Sequence, residues 1–195
     1  MKKWIVIGVV LLVVYIIYRS FVGTYNNMIG QEEQVNQQWA QVENVYQRRA
    51  DLIPNLVNTV KGYADFEQET LTGVIEARAK ATSVNINPQN MDANNLQQFQ
   101  QAQDGLSSAL SRLMVVVERY PDLKANQNFL DLQAQLEGSE NRISVERKKF
   151  NESVQGYNTY IRKFPNSVIA NMSGFDQKGY FEAIAGAETA PVVTF

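Results

Sequence analysis

The side chains available for chemistry in this sequence are carboxylates, amines, guanidiniums, hydroxyls and amides, because it contains neither histidine nor cysteine. An imidazole base, a Ser-His-Asp triad, a thiolate nucleophile, a disulfide and the common zinc sites all need one of those two residues. Asp51, Asp65, Glu67 and Glu69 are the acids that invite a chemical reading, as a glycosidase-like pair or as an oxygen-ligand metal site. Their spacing selects neither. They fit better as caps and first-turn anions, which the helix dipole favours, and no acid, base and nucleophile converge. No catalytic residue, cofactor or metal ligand is assigned, and the isolated glycines make no phosphate-cradling loop.

Two basic concentrations remain beyond the N-terminal segment, Arg147-Lys148-Lys149 and Arg162-Lys163. Three consecutive cations spread around a helical turn, so the first reads as a solvated face. The second suits the last turn of a helix. Contact with anionic lipid headgroups or an acidic neighbour is the sharper alternative. The chain carries 18 Lys and Arg against 20 Asp and Glu. Lys2, Lys3 and Arg19 lie in the N-terminal 23 residues, so the remainder is net acidic by about 5 charges. That balance speaks against a general nucleic-acid footprint. Asn and Gln number 18 each, and the 5 Pro and 11 Gly are few for a turn-rich β protein. Long helices with polar, uncharged faces are expected.

The elements that must position these groups begin with an apolar stretch. From Trp4 to Tyr18 every residue is apolar or Gly, and Phe21 and Val22 extend the stretch past Arg19. The span from Lys3 to Gly23 reads as an uncleaved transmembrane anchor, with Trp4, Tyr15 and Tyr18 at the interfaces and Arg19 snorkelling. A cleaved signal peptide would need a better small-residue site than Arg19 to Thr24 offers; a core helix is the third reading. Lys2 and Lys3 precede the span while Glu32 and Glu33 follow it, so the positive-inside rule places the N-terminus in the cytoplasm and the bulk outside.

Beyond the anchor, Val35, Trp39, Val42, Tyr46, Ile53, Leu56, Val60 and Tyr63 recur three and four apart, which predicts one helix from Tyr25 to Gly62 bent near Pro54. Asp65 is the expected cap of a second helix to about Ala81. The turn-like run Ser83 to Asp92 should be a loop. A third helix is expected from about Ala93 to Tyr120, and a fourth, capped by Asp122, to about Lys163. In the fourth, Phe129, Leu136, Ile143, Phe150, Tyr157 and Phe164 recur every seven residues. Tyr157 should be core, with its hydroxyl reaching a partner. A short helix near Asn166 to Asn171 and a loosely structured tail should complete an all-α chain.

The stretches Trp39 to Asn44, Gln47 to Val57, Val60 to Tyr63, Arg119 to Asn126, Glu140 to Ile143, Tyr157-Asn158, Ile161 to Pro165 and Gly174-Phe175, taken in this order, resemble the LemA family of bacterial membrane proteins. The resemblance covers roughly residues 25 to 182 and includes the single N-terminal span. It implies an antiparallel four-helix bundle with long, coiled-coil-like helices on a membrane anchor. The parts are then an anchor at 1–23, a bundle at 24–165 and a short helix with a C-terminal tail at 166–195. It also suggests envelope membrane proteins or a membrane protease as partners.

Within such a bundle Arg49 shares the seam of Val35, Val42 and Leu56, so a cation points inward and needs a partner. On the fourth helix Glu140 and Arg147 fall on one inward stripe. A buried polar layer is expected in which Arg49 pairs with Glu140, with Asn141 or Asn44 meeting the remaining donors. Such a layer would fix register more than add stability. Phe175, Phe181, Val192, Val193 and Phe195 make the C-terminal tail a candidate interaction segment. The expected function is a membrane-anchored scaffold or assembly protein of the bacterial inner membrane, homo-oligomeric through helix and tail contacts and without catalysis of its own. The alternative is an extracytoplasmic binding or sensing module acting through another envelope membrane protein.

Overall fold

The computed structural model describes residues 2–62 and 67–182. Among them the chain is all-helical, with no strand. Helix α1 spans Lys2–Lys61, α2 Gln68–Ser83, α3 Ala93–Val117, α4 Pro121–Lys124, α5 Gln127–Arg162 and α6 Asn166–Ser173. The apolar segment and the first seam helix are thus one unbroken helix of 60 residues, about 90 Å long at helical rise, with no joint at Gly23. Its N-terminal part is long and apolar enough to cross a membrane, and no side chain in that stretch is covered by the rest of the protein. Trp4, Tyr15, Tyr18 and Arg19 are all exposed.

The helix continues through Pro54, whose missing N–H leaves the Ala50 carbonyl without its intrahelical donor. Arg78 Nε, from α2, donates to that carbonyl at 2.8 Å. A defect in one helix is therefore used as a tether for its neighbour.

Helix ends depart from expectation where local chemistry intervenes. Helix α3 stops at Val117 rather than Tyr120, since Pro121 disfavours helical geometry at the residue before it and Tyr120 sits at φ −122°, ψ 81°. The long helix after it is capped by Asn126, not Asp122, with the Asn126 side chain accepting from the Phe129 N–H at 3.1 Å. Pro121 to Lys124 form the separate short α4. Asp92 caps α3 by accepting from the Asn95 N–H at 2.8 Å. The expected caps and core positions at Asp65 and Tyr63 lie outside the described residues.

Helix α5 runs antiparallel along α1, α2 pairs with α3, and α6 packs on both α1 and α5. The core divides into two clusters. One gathers Met28, Val35, Trp39, Val42 and Tyr46 with Phe99, Ile143, Phe150 and Tyr157. The other gathers Ile53, Leu56, Val60, Leu71 and Val74 with Leu106, Leu113, Phe129 and Leu136. On each long helix the boundary falls at one level: between Tyr46 and Ile53, between Phe99 and Leu106, and between Leu136 and Ile143. Five of the six aromatic or aliphatic residues in the seven-residue series of α5 are buried. Phe164 is not, because α5 ends at Arg162 and Lys163 turns to extended geometry.

Candidate functional site

At the boundary between the two clusters sits Arg49, only 1 % exposed. Its Nη1 donates to Ser107 Oγ at 2.8 Å and to Glu140 Oε1. Its Nη2 donates to the Gln103 side-chain carbonyl at 2.7 Å. Gln103 in turn donates through Nε2 to the Ala81 carbonyl at 3.1 Å, in the last turn of α2 where helical carbonyls have no internal donor. One guanidinium therefore links α1, α3 and α5 directly, and α2 through one amide. The Tyr46 ring lies 5.2 Å from the guanidinium carbon. Burial holds the Tyr46 hydroxyl above its ordinary pKa; Arg147 and Arg49 oppose that, and Asp104 and Glu140 add to it. Arg49 Nε is buried with no hydrogen-bond partner among the described residues.

Three details of the expected layer are corrected. Asn44 and Asn141 are exposed, and the donors they were to satisfy go to Gln103 and Ser107, because α3 covers this face of Arg49. Glu140 is 46 % exposed, so the pair reaches solvent on one side. Arg147 lies seven residues further along α5, near enough for its charge to act on Tyr46, but its guanidinium bonds to the C-terminal segment and not to Glu140. That guanidinium stands 4.7 Å over the Phe181 ring, and Nη2 donates to the Glu182 carbonyl at 2.9 Å.

That last contact belongs to a second polar arrangement. After α6, Gly174 adopts the left-handed conformation (φ 75°) that closes the helix, and residues 175–182 run back along the bundle as an extended strap. Asn158 accepts from the Lys178 N–H at 3.0 Å and donates to its carbonyl at 2.9 Å. Asn151 makes the same pair with Phe181, both at 2.9 Å. Gln100 does so with Glu182, at 3.2 and 3.0 Å. Each amide acts as a neighbouring β-strand would. Seven helical residues between Asn151 and Asn158 and three extended residues between Lys178 and Phe181 both measure about 10 Å, so the two periods match.

The strap is tied down further. Lys178 Nζ meets Glu32 Oε1 at 2.8 Å and lies 6.0 Å from the Tyr157 ring centroid. Gly179 donates to the Met91 carbonyl at 2.8 Å and passes so near α3 that a Cβ there would sit 2.9 Å from the Ala93 Cα. Phe175 packs edge-on against Tyr25 at 5.5 Å, and Phe181 stacks on Trp39 at 6.1 Å. The tail is thus neither loose nor free through residue 182. Phe175 and Phe181 are core residues, since the bundle itself leaves aromatic surface for them to cover. Val192, Val193 and Phe195 lie outside the described residues. Tyr157 is buried, but its hydroxyl has no partner among those residues, contrary to expectation.

The remaining candidates occupy ordinary helical surroundings. Asp51 accepts from Gln47 at 2.8 Å, Glu67 pairs with Arg119 at 2.5 Å, and Glu69 lies in the first turn of α2. Lys149 pairs with Glu146 at 2.8 Å. That hydrogen bond, with one from Gln38, holds the Glu146 carboxyl below its ordinary value against the opposing effect of burial. A cleft of about 300 Å³ flanks the Arg49 layer, and Glu43 is the only carboxylate among its lining residues. Among the described residues no three acidic side chains gather as a metal site would require. Gln103, Ser107, Lys178 and the amides at 100 and 151 escaped the sequence reading, which placed Asn158 in a family-like stretch without giving it a role. The available signal was Asn151 and Asn158 each following a core aromatic, seven residues apart.

Residues 38–195 match the family model described as the LemA family. Among relatives, Magnetosome protein MamQ of Magnetospirillum gryphiswaldense is 26 % identical over 189 residues, covering 87 % of this chain and 68 % of its own. Magnetosome protein MamQ 1 of Paramagnetospirillum magneticum is 25 % identical over 187 residues with the same coverage. Protein LemA of Metamycoplasma hominis is 22 % identical over 182 residues, covering 93 % of this chain and 80 % of its own.

Proposed function

The chain belongs to the LemA family, and from that premise we propose that it is a membrane-anchored helical scaffold of the bacterial cell envelope that self-associates and carries no catalytic step of its own. The observation that carries this reading is the unbroken α1, which is membrane-spanning helix at one end and core helix at the other. Spans that meet in the bilayer plane then bring their folded parts together in a set orientation. Confinement to the membrane raises effective concentration, so weak lateral contacts suffice.

The disposition of polar groups supports the same reading. The buried side chains with chemical potential, Arg49, Gln103 and Lys178, are spent on holding helices and strap together. In this reading α1, α2, α3 and α5 form an antiparallel four-helix bundle, and the Arg49 layer sets its register. Lys2 and Lys3 retain the N-terminus in the cytoplasm. Relatives named as magnetosome proteins are named for a structure, not for a reaction.

The test is the mass and shape of the full chain extracted in detergent or lipid, by light scattering and negative-stain imaging. A discrete particle of several chains is expected. A monomer would overturn self-association and make another envelope membrane protein the object of the search.

A further inference from the structure

We propose that α6 and the corner before it lie on the membrane surface beside the span, with Phe164, Val168 and Met172 entering the lipid interface. This rests on the reading of α1 as a membrane anchor, and extends it from a single helix to a two-point attachment.

Position is the first argument. Helix α5 descends antiparallel to α1, and the strap climbs back with Phe175 at Tyr25, Lys178 at Glu32 and Phe181 at Trp39. The turning point, residues 163–174, is therefore the end of the folded part nearest the span. Ile169 and Ala170 of α6 share a core cluster with Met28. Trp4 to Gly23 is about 30 Å of helix, which matches the hydrocarbon thickness. Tyr25 to Met28 then stand about 3–8 Å above it, within the headgroup layer. Helix α6 packs at that level.

Exposure is the second. Phe164 is 85 % exposed, Met172 75 % and Val168 51 %. Val168 and Met172 are one helical turn apart and so share a face, while Ile169 and Ala170 are buried on the other. A helix that only closed the end of a soluble bundle would need one apolar face; this one has two. Charge is the third. Arg162 and Lys163 are exposed beside Phe164, and Asp176 is the only carboxylate between residues 153 and 181. Cations flanking an apolar face are what an anionic lipid surface attracts.

The absence of cysteine allows a direct test. The full chain carrying F164C, V168C or M172C is labelled with a nitroxide and reconstituted in vesicles of phosphatidylcholine and anionic phosphatidylglycerol. Accessibility to oxygen and to a water-soluble nickel chelate is compared with V115C, at an exposed position of α3, and with V13C in the span. The oxygen-to-nickel ratio at 164, 168 and 172 is expected to exceed that at 115 severalfold, at a depth shallower than 13. Ratios equal to that at 115, with 13 still deep, would overturn the surface attachment and leave the anchor standing. Exclusion of both reagents with spin–spin broadening would assign the face to a second copy and also overturn it. Nickel access at 13 would remove the anchor reading and this one together.

Discussion

Glu140 accepts from a buried guanidinium while keeping 46 % of its own side chain in contact with solvent, which decides how much their pairing is worth. Removing one partner of a fully buried ion pair costs about 3–5 kcal/mol. Solvent access at Glu140, and the donors Arg49 keeps toward Gln103 and Ser107, lower that to about 1–3 kcal/mol for E140Q. A thermal melt in lipid or detergent should show the loss; an unchanged midpoint would sink the pairing. Tyr157 makes the opposite case. Its hydroxyl is buried without a partner among the described residues, so Y157F should be neutral or stabilising by up to about 1 kcal/mol, since no hydrogen bond is given up and an unpaired polar group is removed. A clear loss in denaturant unfolding would mean the hydroxyl is bonded after all. At this scale the sequence showed that Arg49 lies on an apolar seam, because spacing alone places it there. It did not show which groups would receive the guanidinium, because Gln103 and Ser107 lie 54 and 58 residues away on α3.

Between helices, backbone groups left over by local irregularities become the points of attachment. Pro54 removes the donor that the Ala50 carbonyl would have had, and Arg78 replaces it. In P54A that carbonyl regains an intrahelical N–H, so R78M should cost less in the P54A background than in the parent. A coupling of about 0.5–1.5 kcal/mol in the double-mutant cycle is expected, and strict additivity would refute the tether. The strap invites a different probe. A methyl group at residue 179 would meet the Ala93 backbone at 2.9 Å, and backbone cannot move aside as a flexible side chain can. G179A should lift the strap, raising amide exchange at Lys178, Phe181 and Glu182 while exchange within the middle of α5 stays slow. Unchanged exchange at the strap would show that the close approach is relieved elsewhere. Helices were legible from the three-and-four spacing and from the seven-residue series, which are local properties of the chain. Their ends were less so, since Asp122 and Asn126 both have capping chemistry and only the geometry after Pro121 chose between them.

For the molecule as a whole, one continuous helix carries the long apolar segment into a core split by a polar layer, and burial of two tyrosines near that core sets an alkaline limit. Burial raises the pKa of both Tyr46 and Tyr157, so each stays neutral in the folded chain at pH values where the unfolded chain would begin to ionise it. A raised folded pKa gives stability that is complete below the ordinary tyrosine value near 10 and is lost as pH rises past it. The parent should therefore lose stability above about pH 10 more steeply than the Y46F/Y157F double variant, by chemical denaturation across that range. Parallel curves would mean that the hydroxyls are not held neutral by the fold. The sequence by itself determined the helical class, the apolar span, the family and the inward position of Arg49, because each rests on residue type or on a short, repeated spacing. Only the tertiary structure decided that span and core share one helix, that Arg49 bonds to α3 as well as α5, and that 175–182 is a docked strap. The last two outcomes depend on hydrogen bonds between residues 20 to 91 positions apart, and no local periodicity encodes which distant group will find which partner.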